Sequence, residues 1–234
     1  MRAHLLSKGH LLTPALKEIR RTRAKRLLQW HAENGHKNIL FTDEKIFTTE
    51  EQYNNQYNKI YAQTSLQVHS EGAGGHHPSY VMVWWEVSHQ GVTLLNFCEK
   101  GVKTGARVYQ EDVLQGVVKP LNTTVFSGQK WVFQQVSVPV HKVKTTKEWL
   151  WRNTPGFISA EDWPSGSPDL KPLDYKLWAV LEDMACRKRH NNLDSLKRSL
   201  MKTPAEIPLE TVRATIAEWP ERLKACGRSK GQSF

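Results

Sequence analysis

Cysteine is scarce in this 234-residue chain. There are three, Cys98, Cys186 and Cys226, widely spaced and with no Cys-x-x-Cys pair. That count excludes a disulfide framework and a zinc finger, and it suits a reducing, intracellular compartment. Long apolar runs are missing too: nothing approaches the ~20 residues that cross a bilayer, and Met1 to His10 lacks the apolar stretch of a secretion signal. No membrane partner is expected. Internal repeats and low-complexity tracts are absent. The glycines at 72, 74 and 75 are not followed by the Lys-Ser/Thr of a phosphate loop, and His76 and His77 beside them have no cysteine at zinc-ligand spacing. No small-molecule cofactor is indicated.

What the chain has in excess is positive charge. Thirty-three Lys+Arg against twenty-three Asp+Glu give a net charge of +10, which makes a polyanion, and nucleic acid first, the natural partner. One concentration lies in the helix predicted from Thr13 to Asn34, with Thr13-Pro14 as cap and first turn and Leu16, Ile19, Leu27, Leu28 and Trp30 at roughly helical spacing. Arg20, Arg21, Arg23, Lys25 and Arg26 lie on this helix. They suit phosphate tracking or nuclear import, and the plain alternative is a solvated helix face.

Beyond that helix, Asn38 to Phe47 combines the apolar run Ile39-Leu40-Phe41 with an acidic pair, as in a buried strand that ends in polar residues. Tyr80 to Val87 and Val92 to Phe97, parted by Ser88-His89-Gln90-Gly91, predict a hairpin. A helix is expected over Ala106 to Val118, a strand over Lys130 to Val136 and a helix over Lys142 to Arg152. Three prolines in residues 164–172 forbid regular structure and demand a rigid loop. After it, Leu173, Leu177, Val180, Leu181 and Met184 form one apolar stripe of a helix reaching His190, and Asp174 lies in its first turn. Helices over Leu193 to Lys202 and Leu209 to Cys226 follow. Strands interleaved late with helices indicate an α/β layer fold.

Asp43, at a strand's exit, and Asp174, behind the proline loop, could meet at the edge of one core. Magnesium takes oxygen ligands, so phosphoryl-transfer centres collect carboxylates from distant parts of a chain. Either residue taken alone suits a cap or a helix-dipole partner equally well.

The surrounding residues narrow the choice. FTDEKIF at 41–47, HHPSYVMVW at 76–84, WVFQQVSVPVH at 131–141 and DWPSGSPDLKPLDYKLW at 162–178 resemble, in order, the motifs of the mariner superfamily of DNA transposases, over about Leu11 to Lys224. The resemblance implies a ribonuclease-H-like core, with a mixed central sheet flanked by helices. It also implies an endonuclease and strand-transfer activity on DNA, as in cut-and-paste transposition and DNA integration. Asp43 takes the place of the first metal-binding aspartate and Asp174 that of the third carboxylate, and His141 matches a supporting histidine. The thirty-seven residues between positions 136 and 174 are typical of an aspartate-ending subgroup.

Two departures stand out. Trp85 and Glu86 occupy positions where the family usually has glycines, and Val136 stands where the second aspartate belongs. The family's centre would hold two Mg²⁺ (or Mn²⁺) ions about 3.5 to 4 Å apart on three carboxylates. Valine has no lone pair and no charge, so an impaired or inactive catalyst is expected, with a weakened metal site on Asp43 and Asp174. Glu44 should point to the opposite face from Asp43, Asp169 suits a turn or cap, and Asp162 and Glu161 are poor substitutes.

Residues 1–36 are expected to be a basic helical linker following a missing helix-turn-helix region, 37–226 the catalytic domain and 227–234 a tail. Arg187, Lys188 and Arg189, at the end of the Asp174 helix, join the candidate DNA contacts. A homodimer and a nuclear location (cytoplasmic if not imported) complete what the resemblance implies. The competing expectation is a non-catalytic DNA-binding or interaction protein that reuses the fold.

Overall fold

The apolar run Ile39-Leu40-Phe41 opens strand β1 (Ile39–Thr48), whose first five residues are all buried. In the computed structural model, residues 12–49, 79–98, 128–134, 144–164 and 166–234 are described, together with 114, 116, 118, 120, 125 and 126. Burial on both faces marks a central strand. β1 pairs antiparallel with β2 (Tyr80–Ser88), which in turn pairs with the short β3 (Gly91–Val92) and β4 (Asn96–Cys98). On its other side β1 runs parallel to β5 (Val132–Gln134), and β5 runs parallel to β6 (Phe157–Ile158). Among the described residues this makes one mixed sheet, in the order β3-β2-β1-β5-β6 with β4 also on β2.

Alternation along β1 divides the core in two. Ile39, Phe41 and Phe47 face a larger core that also holds Trp85, Trp178, Leu181 and Trp219, whereas Leu40 faces a smaller one with Trp84, Trp131, Phe133 and Leu150. Aromatic edges interlock in the larger core: Trp178 lies 5.4 Å from Trp85 and 5.9 Å from Phe47, and Trp219 lies 5.5 Å from Phe41 (ring centroids). Core packing thus accounts for most of the tryptophans. Trp30 and Trp151 are the exposed exceptions, at 55% and 77%.

Helix α1 (Pro14–Trp30) starts as expected, with Thr13 Oγ1 accepting from Leu16 N–H. It is no detached linker, since Ala24 and Leu27 enter the larger core. Helix α2 (Lys144–Asn153) places Leu150 in the smaller core. The helix expected over 173–190 is a wide π turn, Leu173–Leu177, followed by α3 (Trp178–Ala185), and it stops five residues short. Then come α4 (Leu193–Glu206), α5 (Leu209–Ala217) and α6 (Trp219–Arg228). The single helix expected over 209–226 is broken at Glu218 because Pro220, in the first turn of α6, has no N–H to continue the ladder. The predicted helix over 106–118 lies largely outside the described residues, and so does the end of the predicted strand over 130–136.

The larger core and the proline loop are tied together by α1. Arg20, only 1% exposed, ion-pairs with Asp169 at 2.7 Å and donates to Ser167 Oγ at 2.5 Å and to the Gly231 carbonyl at 3.0 Å. The same guanidinium donates to the other Asp169 oxygen at 3.0 Å. From α6, Arg222 donates to the Asp169 carbonyl at 3.1 Å and lies 3.8 Å from the centre of the Tyr175 ring. The segment that carries Lys171 and Asp174 is therefore clamped from two helices.

Candidate functional site

Asp43 sits on the larger-core face of β1, opposite Trp85 of β2 and only 6% exposed. A carboxylate buried this far needs partners. It has two: Lys171 Nζ donates to Oδ1 at 2.7 Å, and Trp178 Nε1 donates to Oδ2 at 2.9 Å. Lys171 is itself buried, and its ammonium lies 3.9 Å from Asp174 Oδ2. Two carboxylates 131 residues apart in the chain thus converge on one lysine ammonium.

The π turn makes this convergence possible. Its backbone runs from Trp178 N–H to the Leu173 carbonyl, one residue wider than an α-helical bond, and it presents both Asp174 and Trp178 towards β1. Such turns recur where a helix serves a site. Asp174 sits at the rim, with 31% of its side chain exposed. Partial burial first, then the negative charge of Asp43, pushes its carboxyl up to about 7. Glu44 is pushed up to about 6, again by burial first and by Asp43 second. Lys45, on the Asp43 face, pairs with Glu182 of α3 at 2.5 Å, and its charge also favours the ionised form of Asp174.

On the opposite face lies a carboxyl whose sole mark in the sequence is its departure from glycine. Glu86, level with Thr42 on β1, is fully buried, and burial pushes it up to about 7. Its Oε2 accepts a short hydrogen bond from Thr93 Oγ1, and no lysine or arginine pairs with it among the described residues.

The expected residues divide clearly. Asp43 and Asp174 come together; Val136 and His141 lie outside the described residues. The parallel register pairs Ile39 with Val132 and Leu40 with Phe133, an offset of 93, and the same 93 residues separate Asp43 from Val136 in the sequence. Arg20 is a correction: it points inward and serves Asp169, so it cannot track phosphates. Arg23 donates to the Trp163 carbonyl at 2.8 Å, Arg26 pairs with Asp162 at 3.0 Å, and Arg21 reaches Glu18 at 3.5 Å. Lys25 is exposed, as are Arg187, Lys188 and Arg189, which follow the end of α3 instead of capping it from within; Arg187 lies 3.2 Å from Asp183. Asp169, expected to serve its own turn as a cap, instead takes Arg20 of α1 on both carboxylate oxygens.

Lys171 and Trp178 are the residues that sequence reasoning passed over. Trp178 offered a signal, four residues after Asp174 on the same stripe; Lys171 was hidden among the prolines. Among the described residues, no group of three or more His, Cys, Asp or Glu is placed to hold a metal ion.

No protein-family model matches the chain. Among curated proteins it is similar to the transposable element Tcb2 transposase of Caenorhabditis briggsae, 30% identical over 167 residues that make up 71% of this chain and 56% of that protein. It is also 30% identical to the Tcb1 transposase of the same organism over 151 residues, 64% of this chain and 52% of that one. The chain spans about half the length of these relatives. Among solved structures, the catalytic domain of Mos1 mariner transposase matches with a TM-score of 0.74 at 20% identity, over 97% of this chain and all of that one. A Mos1 paired-end complex with the left transposon end matches at 0.80 and 21%, over 100% of this chain and 68% of that one. The fold is the ribonuclease-H-like one of that catalytic domain.

Proposed function

Starting from the chain's place among the mariner-type transposases, as a counterpart of their catalytic domain, we propose that it is a DNA strand-processing domain that still engages DNA but is impaired in cutting it. The observation that carries the reading is the meeting of Asp43 and Asp174 from β1 and the π turn, in a sequence whose position 136 is valine. Two aspartates, one midway along the central strand and one in the π turn beside it, are the remnant of a carboxylate cluster that would bring in-line phosphoryl transfer within reach.

Mos1 structures described with Mn or with Mg indicate the ion such a cluster takes in that protein. A two-ion centre fits poorly here. Its ligand set is one carboxylate short, because valine offers neither charge nor lone pair, and a lysine ammonium already occupies the point on which Asp43 and Asp174 converge. What the chain's own residues supply is a fixed pair of acids: Trp178 and Lys171 hold Asp43 in one orientation, while Asp174 lies at the rim, 3.9 Å from the same ammonium.

DNA as partner rests on the net charge of +10 and on the Mos1 complexes with transposon ends. A non-catalytic binding role draws on the exposed cations Lys25, Arg187, Lys188 and Arg189, which are free of the inward duty that Arg20 performs. The test is one titration of labelled duplex DNA at several salt concentrations, run with Mn²⁺ and followed by strand analysis. The expected result is binding that weakens steeply with salt, with no more cleavage by the native chain than by D43N. Salt-independent binding, or cleavage that D43N abolishes, would contradict it.

A further inference from the structure

We propose that Lys171 is the built-in counter-cation of the aspartate pair: its ammonium stands where a divalent ion bridging Asp43 and Asp174 would stand, and excludes that ion. The inference rests on reading the pair as the remnant of a metal site, and it adds a second, separate obstacle to the one at position 136.

Lysine is seldom buried without a partner, and Lys171 is buried with one acceptor, Asp43 at 2.7 Å, and a second carboxylate, Asp174, at 3.9 Å. Both distances suit an ammonium held by one carboxylate and attracted by another. Its backbone is equally fixed. Lys171 N–H donates to the Pro168 carbonyl at 3.3 Å, and its own carbonyl accepts from Tyr175 N–H at 3.0 Å. Leu170 and Pro172 on either side are buried, and Asp169 two residues earlier is clamped by Arg20 and Arg222. A lysine on a free loop would swing out when a dication arrived. This one has its backbone anchored on both sides of its Cα, which keeps the side chain's root beside the pair, so a dication would have to turn the ammonium out from Asp43 or share the carboxylates with a like charge a few ångströms away. Arg20, which sequence reasoning assigned to DNA, is by this geometry one of the groups that holds Lys171 in place.

Charge explains why the arrangement is stable. Two adjacent carboxylates repel, and without a cation between them the pair would strain the fold. A dication between them would offset both charges; the lysine ammonium offsets one of the two. The Asp43–Lys171 contact, with Trp178 on the second Asp43 oxygen, compensates the buried charge of Asp43.

The test is calorimetric titration with Mn²⁺ alone of the native chain, two neutral replacements K171N and K171M, and the charge-keeping K171R, each melted with and without Mn²⁺. Both neutral variants are expected to bind Mn²⁺ at least about 10-fold more tightly than the native chain, the scale of relieving one close like charge. They are also expected to melt lower without the ion and to recover with it. K171R should stay at the native affinity, and adding D43N to K171N should remove the gain. The same titration on V136D and V136D/K171N separates the two readings. If V136D binds Mn²⁺ as tightly as V136D/K171N, Lys171 is no obstacle and this inference falls while the metal-site reading stands. If none of the variants binds, both fall.

Discussion

Three carboxyls near β1 show how local surroundings, not residue type, set chemical character. Asp43 has an ammonium and an indole N–H on its two oxygens. Asp174, at the rim, is pushed up to about 7 by partial burial and by Asp43. Glu86 is the extreme case, fully buried with a threonine hydroxyl on one oxygen and pushed up to about 7 from an ordinary 4.5. A raised carboxyl binds its proton more tightly folded than unfolded, so its contribution to stability is complete below about 4.5 and fades as pH rises to about 7. Urea unfolding at pH 5 and pH 8 should therefore show the native chain losing stability that E86Q does not lose. The difference should be on the order of 1 to 3 kcal/mol, since a tenfold change in proton affinity is worth about 1.4 kcal/mol. Parallel losses in the two proteins would show that Glu86 does not ionise at this cost.

Among the elements, α1 is the one whose role changed most between sequence and structure. Its start was readable from Thr13-Pro14, but its buried stripe was not: of the apolar residues expected on it Leu16, Ile19 and Trp30 are exposed, and Arg20, Ala24 and Leu27 form it instead. What local pattern could not reveal is that an arginine on that stripe meets Asp169, 149 residues away. A basic helix looks the same from its own sequence whether its cations face water or a distant acid. The break between α5 and α6 had a visible cause in Pro220, whereas the π turn at 173–177, which leads into Trp178 packed on Trp85 and Phe47, had no signal in its own residues. If α1 clamps the proline loop, R20M should be destabilising by about 3 kcal/mol or more, since it strands Asp169 and removes bonds to Ser167 and Gly231. Denaturant midpoints of the two proteins check this, and a change below about 0.5 kcal/mol, typical of surface substitutions, would place Arg20 back among solvated residues.

For the whole molecule, the central strand and the hairpin beside it were legible in apolar runs and turn residues, because those signals are local. The meeting of Asp43 with Asp174 was not: it depends on a sheet order and a helix approach that no spacing encodes, and it was anticipated through the resemblance of four motifs. Lys171 escaped both routes, since it lies inside a matching motif without being one of the residues that carry the match. The result is a ribonuclease-H-like fold in which Asp43 and Asp174 meet at Lys171, in a sequence with valine at position 136. The most direct test is Mn²⁺-dependent nicking of supercoiled plasmid by the native chain, D43N, V136D/K171N and V136D/K171N/D174N. Nicking is expected from V136D/K171N alone. Nicking by the native chain, abolished in D43N, would contradict a corner closed to metal.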